Sequence, residues 1–286
     1  MNSISQQRVL SQDNIRQYLV YLYEQERAVQ TIQKYQRDLL SCSVFLAGKE
    51  LTKERLLAWK ETLIRHYAAA SVNAILASLN GFVSFFGWQD LKMKPLRIQK
   101  QIFCDAGKEL TKTEYIRLVQ AAGARGNERL SLILQTICGT GIRVSELRFI
   151  TAEAVWTGRA EVACKGKRRT VFLPDQLRRI LKRYLEKQGR KNGPVFVTRT
   201  GKPLDRSNIW RDMKALCERA GVERGKVFPH NLRHLFARTF YSLEKDLSRL
   251  ADILGHSSVS TTRIYTVESG WVHEQQLGRM GLVLTT

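Results

Sequence analysis

The sequence predicts a mainly α-helical fold with a small β-sheet, divided into an all-helical first part and an α+β second part. Three observations predict it. Apolar residues recur at helical spacing through most of the chain. A strand-like pattern appears once, in AEVACKGKRRTVFLP (160–174), where two β-rich runs flank Lys165-Gly166-Lys167 as in a hairpin. Between the helical region and the rest, LKMKPLRIQKQIFCDAGKE (91–109) has basic residues, a proline and no periodicity, the signature of a linker.

The elements follow in order. Segment 11–47 fits two amphipathic helices, with Ser11 as N-cap and Gly48 as stop. LTKERLLAWKETLIRHY (51–67) and ASVNAILASLNGFVSFFGW (70–88) read as two more, so residues 1–90 form a small helical domain. A basic linker over 91–107 leads to a second domain, 108–286. There Thr111 and Glu114 make a capping box, and GNERLSLILQTICGTG (126–141) is an apolar helix closed by glycines. After the hairpin, helices are expected at about 175–189, 205–220, 230–242, 246–254 and 258–266.

At 286 residues, with 43% hydrophobic and 26% charged side chains, the chain can bury a core without staples. Its charge is unusual: 47 Lys+Arg against 26 Asp+Glu give a net +21. Such a field draws in polyanions, with nucleic acid ahead of an anionic membrane surface. No apolar run is long enough to span a bilayer, and MNSISQQRVL lacks a signal peptide's apolar segment, so no membrane partner and a cytoplasmic location are expected. Five cysteines without a CxxC pair suggest neither a disulfide framework nor a zinc site.

Three stretches carry candidate chemistry. In GTGIRVSEL (139–147), Arg143 is placed in the first turn of a helix, where its guanidinium and free backbone N–H groups face one anion, and Glu146 shares that face. In FPHNLRHLFARTF (228–240), Pro229 starts a helix that stacks His230 and Arg233 at i,i+3. A guanidinium fork binds two phosphate oxygens, and a neighbouring imidazole moves protons near neutral pH. His230 and His234 are also i,i+4, but Asn231 stands where a zincin helix has glutamate, so no metal is assigned; packing or capping is expected of His234. In LGHSSVSTTRIYT (254–266), Gly255 ends one helix, Ser257 or Ser258 caps the next, and Tyr265 lies about two turns along, within reach of His256's cavity.

Together, Arg143, Lys165, His230, Arg233, His256 and Tyr265 supply cations, proton-transfer groups and one hydroxyl nucleophile. The chain has neither a carboxylate cluster for magnesium nor a GxxxxGK[ST] loop, so no cofactor is expected. Arginine forks can neutralise the charge that builds up in phosphoryl transfer.

TGIRVSEL, CKGKRRT, HNLRH and LGHSSVSTTRIYT, in this order, resemble the motifs of the tyrosine recombinase (phage integrase) family, of the single-chain integrase or Xer-like type. The helical region 11–88 resembles its SAM-like core-binding domain, so the resemblance spans nearly the whole chain. It implies site-specific recombination of double-stranded DNA, for integration, excision, inversion or resolution, through a 3′-phosphotyrosyl intermediate on Tyr265. Arg143 and Arg233 would hold the phosphate, His256 would donate to it, His230 would take or steer the tyrosine proton, and Glu146 would support the site. Lys165 would protonate the leaving 5′-oxygen. The family often has KGxK where this chain has Lys165-Gly166-Lys167, so Lys167 is the alternative acid. Lys92, Lys94, Lys167, Arg168 and Arg169 are the expected DNA contacts. The resemblance further implies a homo-tetramer on two DNA sites, a tail (267–286) docking on a neighbouring subunit, and accessory proteins. The same chemistry would serve a type IB topoisomerase or a telomere resolvase, and the same scaffold a non-catalytic DNA-binding regulator; the compact length and core-binding region favour the recombinase.

Overall fold

The computed structural model describes residues 8–98, 106–164, 167–198, 200–256, 258–265 and 279, with backbone alone for residues 106, 164 and 167. The chain divides into two compact units, residues 1–100 and 101–286. Among the described residues it is mainly helical with one two-stranded sheet.

The first unit contains helices α1 (Gln12–Glu24), α2 (Val29–Leu46), α3 (Lys53–His66) and α4 (Ala69–Phe85). The Ser11 hydroxyl accepts from the Asn14 N–H, which satisfies one of the donors a helix start leaves open. Leu39, Leu56, Leu76, Leu79 and Phe82 form a fully buried core. The expected linker begins differently from the reading above. Residues 91–96 are strapped to this unit: Asn80 exchanges two hydrogen bonds with the backbone of Met93, both 2.8 Å, and Asn73 does the same with Leu96 at 2.7 and 2.9 Å. Two amides seven residues apart on α4 thus stand in for a missing strand partner, and Leu91 and Met93 join the core. Lys92 and Lys94 point outward from this strap.

The second unit starts with α5 (Lys112–Ala124), whose Thr111–Glu114 capping box is present, and α6 (Glu128–Thr140). Helix α6 is apolar almost all round and is central, touching α5, α8 (Asp175–Lys187), α9 (Arg206–Lys214) and α11 (Pro229–Glu244). It ends at Gly141, whose φ of 67° is left-handed; a Cβ there would also lie 2.4 Å from Phe236. The short helix α7 (Ala152–Thr157) leads into strands β1 (Arg159–Cys164) and β2 (Lys167–Phe172), antiparallel with Cys164 opposite Lys167. The predicted helix 205–220 breaks into α9 and α10 (Cys217–Ala220), because Leu216 closes a tighter turn onto Met213 and Arg125 reaches in to take the Ala215 carbonyl at 2.7 Å. Helices α12 (Leu247–Leu254) and α13 (Val259–Thr262) complete the unit, and a short 3₁₀ turn, Arg263–Tyr265, follows α13. No helix among the described residues is long and apolar enough to cross a membrane.

Candidate active site

Arg143, Glu146, His230, Arg233, His256 and Tyr265 come together where the end of α6, the start of α11 and the α12–α13 turn meet. Arg143 is not inside an α-helix. It caps a 3₁₀ helix, Val144–Phe149, because the Glu146 carboxylate reaches back to the Arg143 N–H at 2.8 Å and to its guanidinium at 3.1 Å. The backbone N–H expected to face an anion is therefore filled from within the protein. The Arg143 side chain stays 35% exposed, so the rest of its guanidinium is available.

Arg233 is the opposite case, only 1% exposed. Its Nη1 donates to the Gly141 carbonyl at 2.5 Å, and its Nη2 to the Leu254 carbonyl at 2.8 Å, both at helix C-termini where carbonyls lack partners. Nη2 also lies 3.0 Å from His256 Nε2. Its buried Nε–H finds no acceptor among the described residues. Burial and the nearby Arg143 hold the Arg233 pKa down to about 10, with Tyr265 and Glu146 opposing the fall, so it is charged at neutral pH.

A guanidinium can only donate, so His256 Nε2 accepts and its proton sits on Nδ1, 2.8 Å from the Thr262 hydroxyl. His256 is thus neutral here, and accepts from Arg233. Burial, then Arg233, push its pKa down to about 4. The second histidine of HNLRH, His234, is also held at about 4, by burial and His230, and its Nε2 is buried without a partner among the described residues. His230 is more exposed, and burial and the arginines lower its pKa too.

Tyr265 is 4% exposed and packs with Ala237, Leu250 and Leu254. His234 meets its ring edge-on with centroids 4.7 Å apart, His256 stacks on it at 5.9 Å, and His230 in turn lies 4.5 Å from His234. Three guanidiniums, those of Arg233, Arg143 and Arg169, lie near enough to His256 to depress its pKa, and Glu146 is the one buried carboxylate among the described residues. Such a balance suits an anion.

The expected DNA contacts divide. Arg168 is exposed on the outer face of β2. Arg169 turns inward, 13% exposed, with both fork nitrogens on Glu146 at 2.9 Å, so its guanidinium is spent inside the protein and not on DNA. Strand parity is the signal that would have found this: Arg169 shares a face with buried Val171, while Arg168 goes with exposed Thr170 and Phe172. Lys165, the Lys167 side chain and, apart from Arg279, the tail 267–286 lie outside the described residues. Thr262, fully buried as the partner of His256, and His234, which packs as expected but against Tyr265 itself, were not assigned to the site from sequence.

Both histidines held near 4 must give up protons on folding, whereas the unfolded chain binds them below its ordinary 6.5. The unfolded state therefore binds more protons between those values, and stability falls as the pH drops from 6.5 towards 4. Urea titrations across that window should show this slope, and His234→Phe should flatten it. An unchanged slope in the variant would mean that His234 is not held neutral by its burial.

The phage integrase family model matches residues 108–269, and the family's N-terminal SAM-like domain matches residues 15–90. Tyrosine recombinase XerA of Pyrococcus furiosus is 28% identical over 271 residues, covering 91% of each chain. XerA of Thermococcus kodakarensis is 31% identical over 210 residues, covering 70% of this chain and 71% of that protein. Among solved structures, a lambda integrase tetramer bound to a Holliday junction superposes with a TM-score of 0.74 at 18% identity, covering 91% of this chain and 78% of the other. With the family model spanning more than half of its residues and the motifs gathered around one phenol, the chain belongs to the phage integrase family, the tyrosine-type site-specific DNA recombinases.

Proposed function

We propose that the chain cleaves and rejoins double-stranded DNA through Tyr265. The observation that carries this is the convergence of Arg143, Arg233, His230 and His256 on one buried tyrosine, with a guanidinium N–H on Arg233 that lacks an acceptor among the described residues. A phosphate oxygen is the acceptor it fits. The Tyr265 oxygen attacks phosphorus in line, the P–O5′ bond breaks, and a 3′-phosphotyrosyl ester and a 5′-hydroxyl result. The phenol's proton passes towards His230. Lys165, or Lys167 in its place, gives a proton to O5′, since an alkoxide leaves poorly without one. Arg143 and Arg233 take the charge that builds on the non-bridging oxygens. Strand exchange follows when the 5′-hydroxyl of another strand attacks the ester and frees Tyr265. The bond energy is kept in the ester, so no nucleotide is spent.

His256 changes role when the anion arrives. A phosphate beside the ring favours its protonated form and competes for Arg233 Nη2, so Nε2 becomes a donor to the phosphate. Lys92, Lys94 and Arg168 contact the backbone of the duplex. Assembly on DNA is supported by the likeness to a lambda integrase tetramer on a junction, and the working unit is a tetramer on two sites, with the tail 267–286 docked on a neighbour and accessory proteins where the site requires them.

The test is to incubate the protein with sheared genomic DNA of its source, stop with SDS, digest the DNA and map the residual nucleotide by mass spectrometry. Attachment at Tyr265 is expected, and attachment at any other residue overturns the assignment. The same adducts yield the cleavage site by sequencing. On a duplex carrying that site, Lys165→Ala should cleave slowly with the natural 5′-oxygen and recover with a bridging 5′-sulfur, which leaves without a proton. Recovery of Lys167→Ala instead would move the acid to Lys167.

A further inference from the structure

Among the described residues the Arg169 guanidinium makes three hydrogen bonds, two to Glu146 and one to the Ile253 carbonyl, beside Arg143 and the turn that carries His256. Its Nη1 and Nη2 hold the two oxygens of Glu146, each at 2.9 Å, and that carboxylate also caps Arg143 through its N–H and its guanidinium. Its Nε donates at 3.1 Å to the carbonyl of Ile253, in the last turn of α12, next to the Leu254 carbonyl that holds Arg233 and three residues before His256. Its own backbone lies in β2. Gly255 is shaped to this side chain: a Cβ there would lie 2.7 Å from Arg169 Cδ and 3.1 Å from Nε. The left-handed φ of 65° already favours glycine at 255, and a Cβ there would force Arg169 to shift.

We infer that Arg169 is a positioning residue that sets Arg143 and the His256 turn at the distance one phosphate requires. The inference rests on the function proposed above. Two charges decide it. Without Arg169 the buried Glu146 would have Arg143 as its one remaining ion-pair partner among these contacts, and would draw that guanidinium away from the substrate. With Arg169 holding both carboxylate oxygens, Glu146 is satisfied and Arg143 keeps charge to spend on the phosphate. A buried ion pair is seldom retained for stability, since apolar residues of similar volume do as well. Its value here is the geometry of three chain segments.

The experiment is single-turnover cleavage of a nicked duplex carrying the site recovered with the wild-type protein, at saturating protein, with melting temperature and DNA affinity measured alongside. Arg169→Gln should cleave about a hundredfold more slowly, the effect of a displacement of about 1 Å at a reacting centre, with DNA affinity unchanged. Arg169→Lys, which keeps a charge opposite Glu146 and so protects the fold, should fall between. A duplex with a neutral methylphosphonate at the cleaved position separates positioning from general loosening. It carries one negative charge fewer on its non-bridging oxygens in the transition state, so the demand on Arg143 is smaller and most of the gap between wild type and either variant should close. An equal gap on both substrates, or a folded Arg169→Lys that cleaves at the wild-type rate, overturns the positioning role. Failure of the wild-type protein to form any adduct would instead sink the function on which it rests.

Discussion

Tyr265→Phe should form no protein–DNA adduct, while binding the same duplex and melting close to the wild-type temperature. The ring is placed by contacts that phenylalanine keeps: the edge of His234 at 4.7 Å, the face of His256 at 5.9 Å, and Ala237, Leu250 and Leu254 around them. Only the oxygen is lost, and a buried hydroxyl contributes about 1 kcal/mol to stability. The oxygen is also the one atom whose bond to phosphorus the mechanism needs, so the chemical effect is complete where the structural one is small. SDS gels of trapped complexes beside a filter-binding isotherm separate the two. An adduct of wild-type yield in Tyr265→Phe would place the nucleophile elsewhere, and a matching loss of DNA binding would mean that the phenol serves recognition and not attack.

What could be read in the sequence was local chemistry. Ser11, the Thr111–Glu114 box, Pro229 and Gly255 each act within a turn of where they stand, and all four behave as their residue types require. The pairing of β1 with β2 follows from two adjacent β-rich runs. What could not be read depends on partners distant in sequence. Helix 205–220 breaks because Arg125, 90 residues earlier, offers a donor for the Ala215 carbonyl. The segment from 91 onward has the composition of a linker, yet Asn73 and Asn80 give its backbone the partners that strands usually supply. The site shows the same division. Its residues were legible as motifs, but their protonation was not: His256 accepts from Arg233 because burial on α11 brings a guanidinium to it, and no spacing reports that. Arg169 stands in a run of basic residues that looks like a DNA contact, whereas the two-residue period of the strand places it on the face of buried Val171, where it meets Glu146.

Arg233→Lys and Arg143→Lys, which look alike as substitutions, should fail differently. In both, a planar fork that can grip two oxygens gives way to a point charge, and cleavage should fall by roughly 10²–10³, the usual cost of removing a donor aimed at a developing oxyanion. Stability separates them. Arg233 is 1% exposed and bridges the C-terminal carbonyls of α6 and α12 while holding His256. An ammonium on a flexible stem cannot span Gly141, Leu254 and His256 and still face a phosphate. At least one carbonyl loses its partner in a dry setting, at a cost of about 1–3 kcal/mol. Arg143 is one-third exposed, and the cap that Glu146 makes to its backbone does not depend on its side chain. Arg143→Lys should therefore melt near the wild-type temperature and Arg233→Lys well below it, with cleavage impaired in both. Equal melting temperatures would show that the two carbonyls are satisfied without Arg233, and wild-type cleavage by either variant would remove that arginine from the phosphate. The asymmetry has a structural basis: Arg233 joins the two helices whose ends lead to Arg143 and His256, so replacing it disturbs the spacing of those residues as well as removing its own fork.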